Sequence, residues 1–206
     1  MMQIIAMMTM IIDHVGLIFF PDKELFRMIG RIAFPLYSWF LVQGYLHTRN
    51  HKKYMLRLLG LACISQIPYT LALQQWEFNV IFTLLISLIG LFAMDQIVDQ
   101  RLKTLVIIVL VTVAVTVPMD YGIYGFLLIF IMRYTQGVTM IGLHLLLNMM
   151  FFIASGLSYW IQMISILGTI LIVYPISSRS LSVPTWLYRS FYPAHLAVLF
   201  LITFLI

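Results

Sequence analysis

Charged residues are scarce in this 206-residue chain: they make up 9% of it, against 63% hydrophobic residues, and the mean hydropathy is +1.03. A soluble domain carries roughly 25% charged residues, so the composition excludes a soluble domain and indicates a membrane protein. Cysteine is limited to Cys63, which excludes an internal disulfide and a thiolate metal site, and no metal is expected. Linkers, low-complexity tracts and convincing repeats are also lacking, so residues 1–206 form one predicted domain.

Long apolar runs recur along the chain, separated by short polar or Pro- and Gly-containing breaks. We predict an all-α, polytopic integral membrane bundle. Its transmembrane helices number about nine and cover residues 3–20, 25–47, 54–74, 78–98, 102–118, 121–135, 138–154, 157–175 and 185–206. The first run has no preceding Lys or Arg and no following small-residue cleavage pattern, so we expect it to stay as the first helix rather than be removed as a signal peptide.

Most basic residues fall at alternate connections between these helices or at the adjoining helix ends. They are Arg49, Lys52, Lys53, Arg57, Arg101, Lys103, Arg133, Arg179 and Arg189. By the positive-inside rule, this predicts an N-terminus inside and a C-terminus outside the cytoplasmic membrane. Because these residues lie at membrane ends without a domain to present them, nucleic acid is excluded as a partner.

Two ionisable residues, Asp13 and His14, stand side by side within the first apolar run. A charge at mid-bilayer costs at least ~2.5 kcal/mol, so such residues usually face the protein interior and mark a site. Asp13 and Arg31 are equally far along the chain from the turn at Asp22, and we predict that they lie at one depth and pair. The pair has two interpretations, a structural ion pair or part of a site.

Counted along the helices from the cytoplasmic side, His14 and His195 are predicted to lie at a similar depth near the middle of the membrane. Gln66 and Asn148 are predicted to lie at about the same depth. This predicts one central polar layer, although Gln66, Asn148 and His144 are also typical of ordinary hydrogen bonds between helices. The two histidines are the stronger candidates for chemistry, because a neutral imidazole moves a proton readily near neutral pH.

A second polar group lies where the second predicted helix meets the third. It comprises His47, Arg49, Asn50, Lys52, Lys53, Tyr54 and Arg57. Arginine, lysine and amide donors together can hold several phosphates. Charge that sets topology and contacts anionic lipid is the alternative, so on spacing alone both interpretations stay open.

Several sequence blocks resemble the TraX family, and they occur in family order along nearly the whole chain. The blocks are Met10-Ile11-Ile12-Asp13-His14-Val15-Gly16, Gly30-Arg31-Ile32-Ala33-Phe34-Pro35, His47-Thr48-Arg49-Asn50, Lys53-Tyr54, Asn79-Val80-Ile81-Phe82-Thr83-Leu84, Asp120-Tyr121-Gly122, Tyr124-Gly125 and Phe191-Tyr192-Pro193-Ala194-His195-Leu196. The resemblance implies an integral membrane acetyltransferase of the inner membrane that uses cytosolic acetyl-CoA. It also implies an acceptor that is a peptide N-terminus, such as that of a pilin, or a small amphiphile.

Acetyl transfer to an amine needs a base and donors for the developing oxyanion. We expect His14 to be the general base, with Asp13 orienting it or anchoring Arg31, and Arg31 stabilising negative charge. His195 is expected to be a second proton carrier or the base itself.

The basic group from His47 to Arg57 is expected to hold the phosphates of acetyl-CoA. The expected substrate-binding residues come from three regions of the sequence: Asn79, Thr83, Asp120, Tyr121 and Tyr192. The alternatives are an O-acetyltransferase for a sugar or lipid, a proton-coupled transporter, and an assembly partner without catalysis.

Overall fold

A computed structural model describes residues 1–175 and 183–205 as a helical bundle. Its helices are α1 (Met2–Phe19), α2 (Glu24–Gly30), α3 (Ala33–His47), α4 (His51–Leu73), α5 (Val80–Gln96), α6 (Gln100–Thr116), α7 (Gly122–Tyr134), α8 (Gly137–Ser155), a 3-10 helix (Gly156–Ser165), α9 (Ile166–Val173) and α10 (Thr185–Leu205). The predicted all-α class is confirmed for these residues. Arg179 and most of the segment between the last two predicted helices lie outside them.

Five helical segments of the described chain are long and apolar enough to cross a membrane. They are Met2–Phe19, Glu24–His47, His51–Leu73, Gly137–Val173 and Trp186–Leu205. Val80–Gln96 and Gly122–Tyr134 are shorter apolar helices. A multi-pass membrane protein is therefore supported, while the number nine and the inward N-terminus stay predictions.

Helix starts are fixed by side chains that accept hydrogen bonds from otherwise unpaired backbone N–H groups. Asn50 Oδ1 accepts from Lys53 N at 2.9 Å and begins α4. Asn79 Oδ1 accepts from Ile81 N at 3.0 Å and begins α5. These caps explain why the polar breaks of the sequence coincide with the ends of helices.

The second predicted helix is interrupted at Arg31 and Ile32, between α2 and α3. Pro35 lies four residues beyond Arg31 and has no N–H with which to bond the Arg31 carbonyl. The interruption turns Arg31 into a connecting residue between the two helices.

The apolar segment Gly137–Val173 folds back on itself. Gly156, with φ +72°, ends α8, and the 3-10 helix and α9 then return alongside it. A hydrogen bond of 2.6 Å between His144 Nδ1 and Thr169 Oγ1 joins the two legs.

The hairpin of α1 and α2 is closely packed because two glycines lie at the contact. A Cβ on Gly16 would collide with Phe26, and a Cβ on Gly30 would collide with the side chain of Asp13. The hairpin packs against α3, and α1 also contacts α10. This packing carries Asp13 and His14 into the interior of the bundle.

Candidate functional site

A cavity of about 460 Å³ runs through the interior of the bundle. Its walls come from α1, α3, α4, α5, α10 and the connection between α6 and α7. The volume falls within the range of small-molecule sites, ~300–1,000 Å³. The wall formed by α3 extends from Ala33 to His47, a helical rise of ~21 Å. The cavity is therefore long relative to its volume.

The two ends of the cavity differ in charge. One end is lined by Asp13, His14, Asp120, Tyr121 and Tyr192. The other is lined by His47, Thr48, Tyr54, Arg57 and Arg189. We call them the carboxylate end and the arginine end.

Two histidines on different helices meet at the carboxylate end. His14 Nδ1 of α1 lies 2.8 Å from His195 Nε2 of α10, and the two rings are nearly parallel, at 4°. His195 Nδ1 lies 2.7 Å from the carbonyl oxygen of Phe191. The structure thus brings together the two histidines that the sequence related by depth.

These contacts assign the protons of both neutral rings. A carbonyl oxygen only accepts, so His195 Nδ1 carries the hydrogen and donates it to Phe191. His195 Nε2 is then an acceptor, and His14 Nδ1 donates to it. His14 Nε2 is left with a free lone pair and has no hydrogen-bond partner within the described ranges, while His14 itself lines the cavity. This nitrogen is the basic atom of the histidine pair that no contact in the described residues occupies.

Asp13 forms an ion pair with Arg27, and the predicted pairing of Asp13 with Arg31 is wrong. Arg27 Nη1 donates to Asp13 Oδ2 at 2.8 Å. The other carboxylate oxygen, Oδ1, is buried and has no hydrogen-bond partner in the described chain. Arg27 is four residues nearer to the turn at Asp22 than Arg31, so equal distance from the turn did not identify the partner of Asp13.

Arg31 lies behind the cavity wall rather than on it. Its Nη1 donates to Tyr121 Oη at 3.1 Å and to Gln162 Oε1 at 3.2 Å. Tyr121, at the start of α7, has φ 67° and stacks on Phe34 with ring centroids 3.8 Å apart. Burial raises the pKa of the Tyr121 hydroxyl, so this group stays protonated and can donate a hydrogen bond.

Asp120 lies in the connection between α6 and α7 and lines the same end of the cavity. Its backbone is fixed by two contacts: its N–H donates to Phe78 O at 2.9 Å, and its carbonyl accepts from Thr83 Oγ1 at 2.5 Å. Burial raises the pKa of its carboxyl from 3.8 to about 7, although nearby Arg31 opposes the rise. Asp120 therefore changes charge near neutral pH.

Two predicted substrate-binding residues, Asn79 and Thr83, are buried and lie outside the cavity wall. Asn79 caps α5 and donates to Gln66 Oε1 at 2.8 Å, while Thr83 holds the Asp120 backbone. Their substrate-binding role stays a prediction. In the structure they support the carboxylate end by holding the connection between α4 and α5 and the connection between α6 and α7.

The predicted single polar layer is divided in the structure. Asn148 and His144 belong to a separate buried cluster in which Tyr124 Oη lies 2.9 Å from His144 Nε2 and donates to Asn148 Oδ1 at 2.8 Å. Ser165 adds further contacts from the 3-10 helix. None of these residues lines the cavity, and the cluster joins α7, α8 and the returning legs. The interpretation as hydrogen bonds between helices is the one that the structure supports for Asn148 and His144.

Comparisons with known proteins settle the family. The TraX protein family matches residues 1–203, which is nearly the whole chain. The chain belongs to the TraX family. The predicted resemblance is thereby confirmed, and the cavity lies within the part of the chain that matches the family.

Individual relatives match shorter regions. A probable fimbrial assembly protein, FimC of serogroup H1, from Dichelobacter nodosus is 34% identical over 139 residues, covering 60% of this chain and 56% of the relative. Protein TraX from Escherichia coli is 34% identical over 87 residues, 40% of this chain and 34% of its own length. An uncharacterized protein, RP591, from Rickettsia prowazekii is 33% identical over 76 residues, 37% of this chain and 29% of its own length. The matches thus span about half or less of these relatives, and no solved structure matches the chain.

The basic group predicted to hold phosphates is divided by the cavity of this TraX-family bundle. His47, Tyr54 and Arg57 line the arginine end. The others, Arg49, Asn50, Lys52 and Lys53, are exposed and lie off the wall. Asn50 has a separate role as the cap of α4.

Sequence reasoning missed the contribution of α10 to the arginine end. Tyr188 and Arg189 line the cavity, and Tyr188 stacks on Tyr37 with centroids 5.9 Å apart. Tyr188 precedes Tyr192 by four residues and His195 by seven, the spacing of one helix face. That spacing is the signal that could have placed Tyr188 with the TraX motif around His195.

Replacing Asp120 by Asn tests the ionisation of this residue. A folded-state pKa of about 7, above the ordinary 3.8, means that the native protein loses stability as pH rises from ~4 to 7 and is level above that range. Asp120→Asn cannot ionise and lacks this decline. Thermal unfolding of both purified proteins between pH 4 and 8 should show the variant gaining on the wild type as pH rises. A difference in melting temperature that stays constant across this range would contradict the assignment.

Proposed function

We propose that this TraX-family protein is a membrane acetyltransferase that moves acetyl from acetyl-CoA to an amine, with His14 as general base. The observation that carries the proposal is the free Nε2 of His14 at the wall of a long cavity whose ends have opposite charge. A donor with phosphates and an acceptor with an ammonium group would enter such a cavity from different ends.

The donor fits the shape of the cavity between the arginine end and His14. Between the two ends, the wall carries apolar and aromatic side chains that include Phe40, Leu41, Leu58, Leu61 and Leu84. Acetyl-CoA joins a phosphate-bearing head to its thioester through a long, narrow pantetheine arm. Such an arm suits a passage lined in this way, with the phosphates left near the arginines.

The acceptor is a primary amine, because the carboxylate end offers acceptor oxygens to an ammonium group. Asp13 Oδ2 is paired with Arg27, but its Oδ1 has no hydrogen-bond partner in the described chain, and Asp120, which ionises near neutral pH, lines the same end. These oxygens favour an ammonium group over a neutral hydroxyl. A peptide N-terminus is such a group, and a relative named as a probable fimbrial assembly protein supports a pilin-like peptide as the acceptor.

The transfer proceeds by attack of the amine on the thioester carbonyl carbon. The bound ammonium loses one proton, and as the amine attacks, His14 Nε2 takes the second proton from its nitrogen. The resulting oxyanion accepts a hydrogen bond from the Tyr121 hydroxyl. Arg31 in turn donates to Tyr121 Oη, which strengthens that hydroxyl as a donor. The C–S bond then breaks, and the protonated His14 returns its proton to the CoA thiolate. One proton is released overall.

His195 acts as a positioning residue for His14. Its Nε2 accepts from His14 Nδ1, which keeps the lone pair of His14 on Nε2 and stabilises the imidazolium. Its own Nδ1 hydrogen ends at the Phe191 carbonyl, which cannot take up a proton. A relay through His195 is therefore blocked in this arrangement, so His14 returns its proton to the CoA thiolate, and the one proton released overall is the one that the ammonium loses to water before it attacks.

Substitution of the two histidines tests these roles. His14→Gln removes the base and should lower the rate of acetyl transfer by ~100-fold or more. His195→Gln should lower the rate less and should shift the pH–rate profile, because the lone pair of His14 is no longer fixed. His51→Gln is the control, since His51 lies off the cavity wall. The assay is transfer of labelled acetyl from acetyl-CoA to a peptide with a free N-terminus, in purified protein. Full activity of His14→Gln would overturn the mechanism.

We also propose that the arginine end faces the cytoplasm and the carboxylate end faces the opposite side. The exposed residues Arg49 and Lys23 mark the two ends. With Cys63→Ser as background, Arg49→Cys and Lys23→Cys should react with a membrane-impermeant maleimide from opposite sides of the membrane. Only Lys23→Cys should be labelled in intact cells. Labelling of both positions from one side would exclude a cavity that joins the two compartments.

A further inference from the structure

The arginine end contains a pair of arginines from two helices that are distant in sequence. Arg57 comes from α4 and Arg189 from α10, and both line the cavity. Tyr54, one turn before Arg57 on α4, lies on the same wall. The salt bridges of the described residues involve other arginines, Arg27 and Arg133, so neither member of the pair is neutralised by a carboxylate there. Two cations thus line one cavity without a counterion among the described residues.

We propose that Arg57 and Arg189 bind the phosphates of the acetyl donor, and that Arg49, Lys52 and Lys53 do not. The proposal rests on acetyl-CoA being the donor. All five residues are exposed, but only Arg57 and Arg189 also lie on the cavity wall, although the other three are close in sequence to Arg57. If the donor enters the cavity with its thioester first, its phosphates come to lie at the arginine pair. Arginine can hold a phosphate through two parallel N–H hydrogen bonds.

The walls beside the pair favour a donor held by its head with its arm inward. His47 and Thr48 complete the polar rim at the end of α3. Further in, Tyr188 stacks on Tyr37 and meets Phe40 edge-on, with centroids 6.0 Å apart. Apolar walls beyond a cationic rim suit a phosphate ester with a thin organic arm. An anionic lipid headgroup has the same phosphate chemistry, so the experiment separates the two sources.

The test compares the double variant Arg57→Gln, Arg189→Gln with the control Arg49→Gln, Lys53→Gln. Each carries the same loss of charge, but only the first changes the cavity wall. Binding of CoA and of pantetheine, which lacks the phosphates, is measured by calorimetry in phosphatidylcholine nanodiscs. Loss of charged hydrogen bonds to phosphate should weaken CoA binding by about tenfold for each arginine. The control variant should bind CoA like the wild type, and pantetheine should bind all three proteins equally.

Other outcomes overturn distinct statements. If CoA binds the wild type and the Arg57–Arg189 variant equally, the anion site is wrong and the acetyl-CoA donor stands. If the wild type binds inorganic pyrophosphate through the two arginines but does not bind CoA, the acetyl-CoA function fails and the anion site stands. If the variant loses bound phosphatidylglycerol, added to the nanodiscs, with unchanged CoA affinity, the pair is a lipid site and the proposal fails.

Discussion

The ion pair between Asp13 and Arg27 is the contact on which the geometry of the site depends. It joins α1 to α2, with 2.8 Å between Arg27 Nη1 and Asp13 Oδ2. Gly16 and Gly30 let the two helices approach closely enough for this ion pair to form. His14 follows Asp13 directly on α1, so the same contact fixes the direction of the imidazole. Loss of one partner would leave the other charge partly buried and unpaired, which is costly within a membrane.

Because charged and polar residues are scarce in this bundle, the buried ones fall into a few separate clusters. In a bundle of low polarity, buried polar groups must find partners within the protein, and here they form separate clusters. Tyr124, His144 and Asn148 form a cluster that is fully paired and away from the cavity. Among the described residues, Asp13 Oδ1 and His14 Nε2 instead lack a hydrogen-bond partner, and both residues line the cavity. Ionisable side chains that are not fully paired and that line a cavity distinguish the site from the structural cluster.

The all-α class was predictable from the long apolar runs, whereas helix bounds depend on local caps and breaks. Asn79 caps α5 next to the predicted start at residue 78, but Asn50 caps α4 at His51, ahead of the predicted start at residue 54. The meeting of His14 and His195 also followed from depth along two helices. The error over Asp13 is one of depth. Arg27 and Arg31 are four residues apart, so they share a helix face but differ in height by ~6 Å. Asp13 pairs with Arg27, while Tyr121 and Gln162 accept the hydrogen bonds of Arg31.

The arginine end was predicted only in part because proximity in sequence is not proximity in space. The run from His47 to Arg57 contains both wall residues and exposed residues. Arg189 joins them only through the packing of α10 against α4. A cavity assembled from distant helices cannot be read from one local motif. The face of α10 that carries Tyr188, Tyr192 and His195 was the available indication.

A structure of the protein bound to a bisubstrate compound is the decisive test of acetyl transfer at His14. In this compound, CoA is joined through a two-carbon bridge to the N-terminal nitrogen of a peptide. We expect the bridge beside Nε2 of His14, the phosphates toward the arginine end, and the peptide toward Asp120. A bridge bound away from His14, or a ligand in the reverse direction, would contradict this expectation.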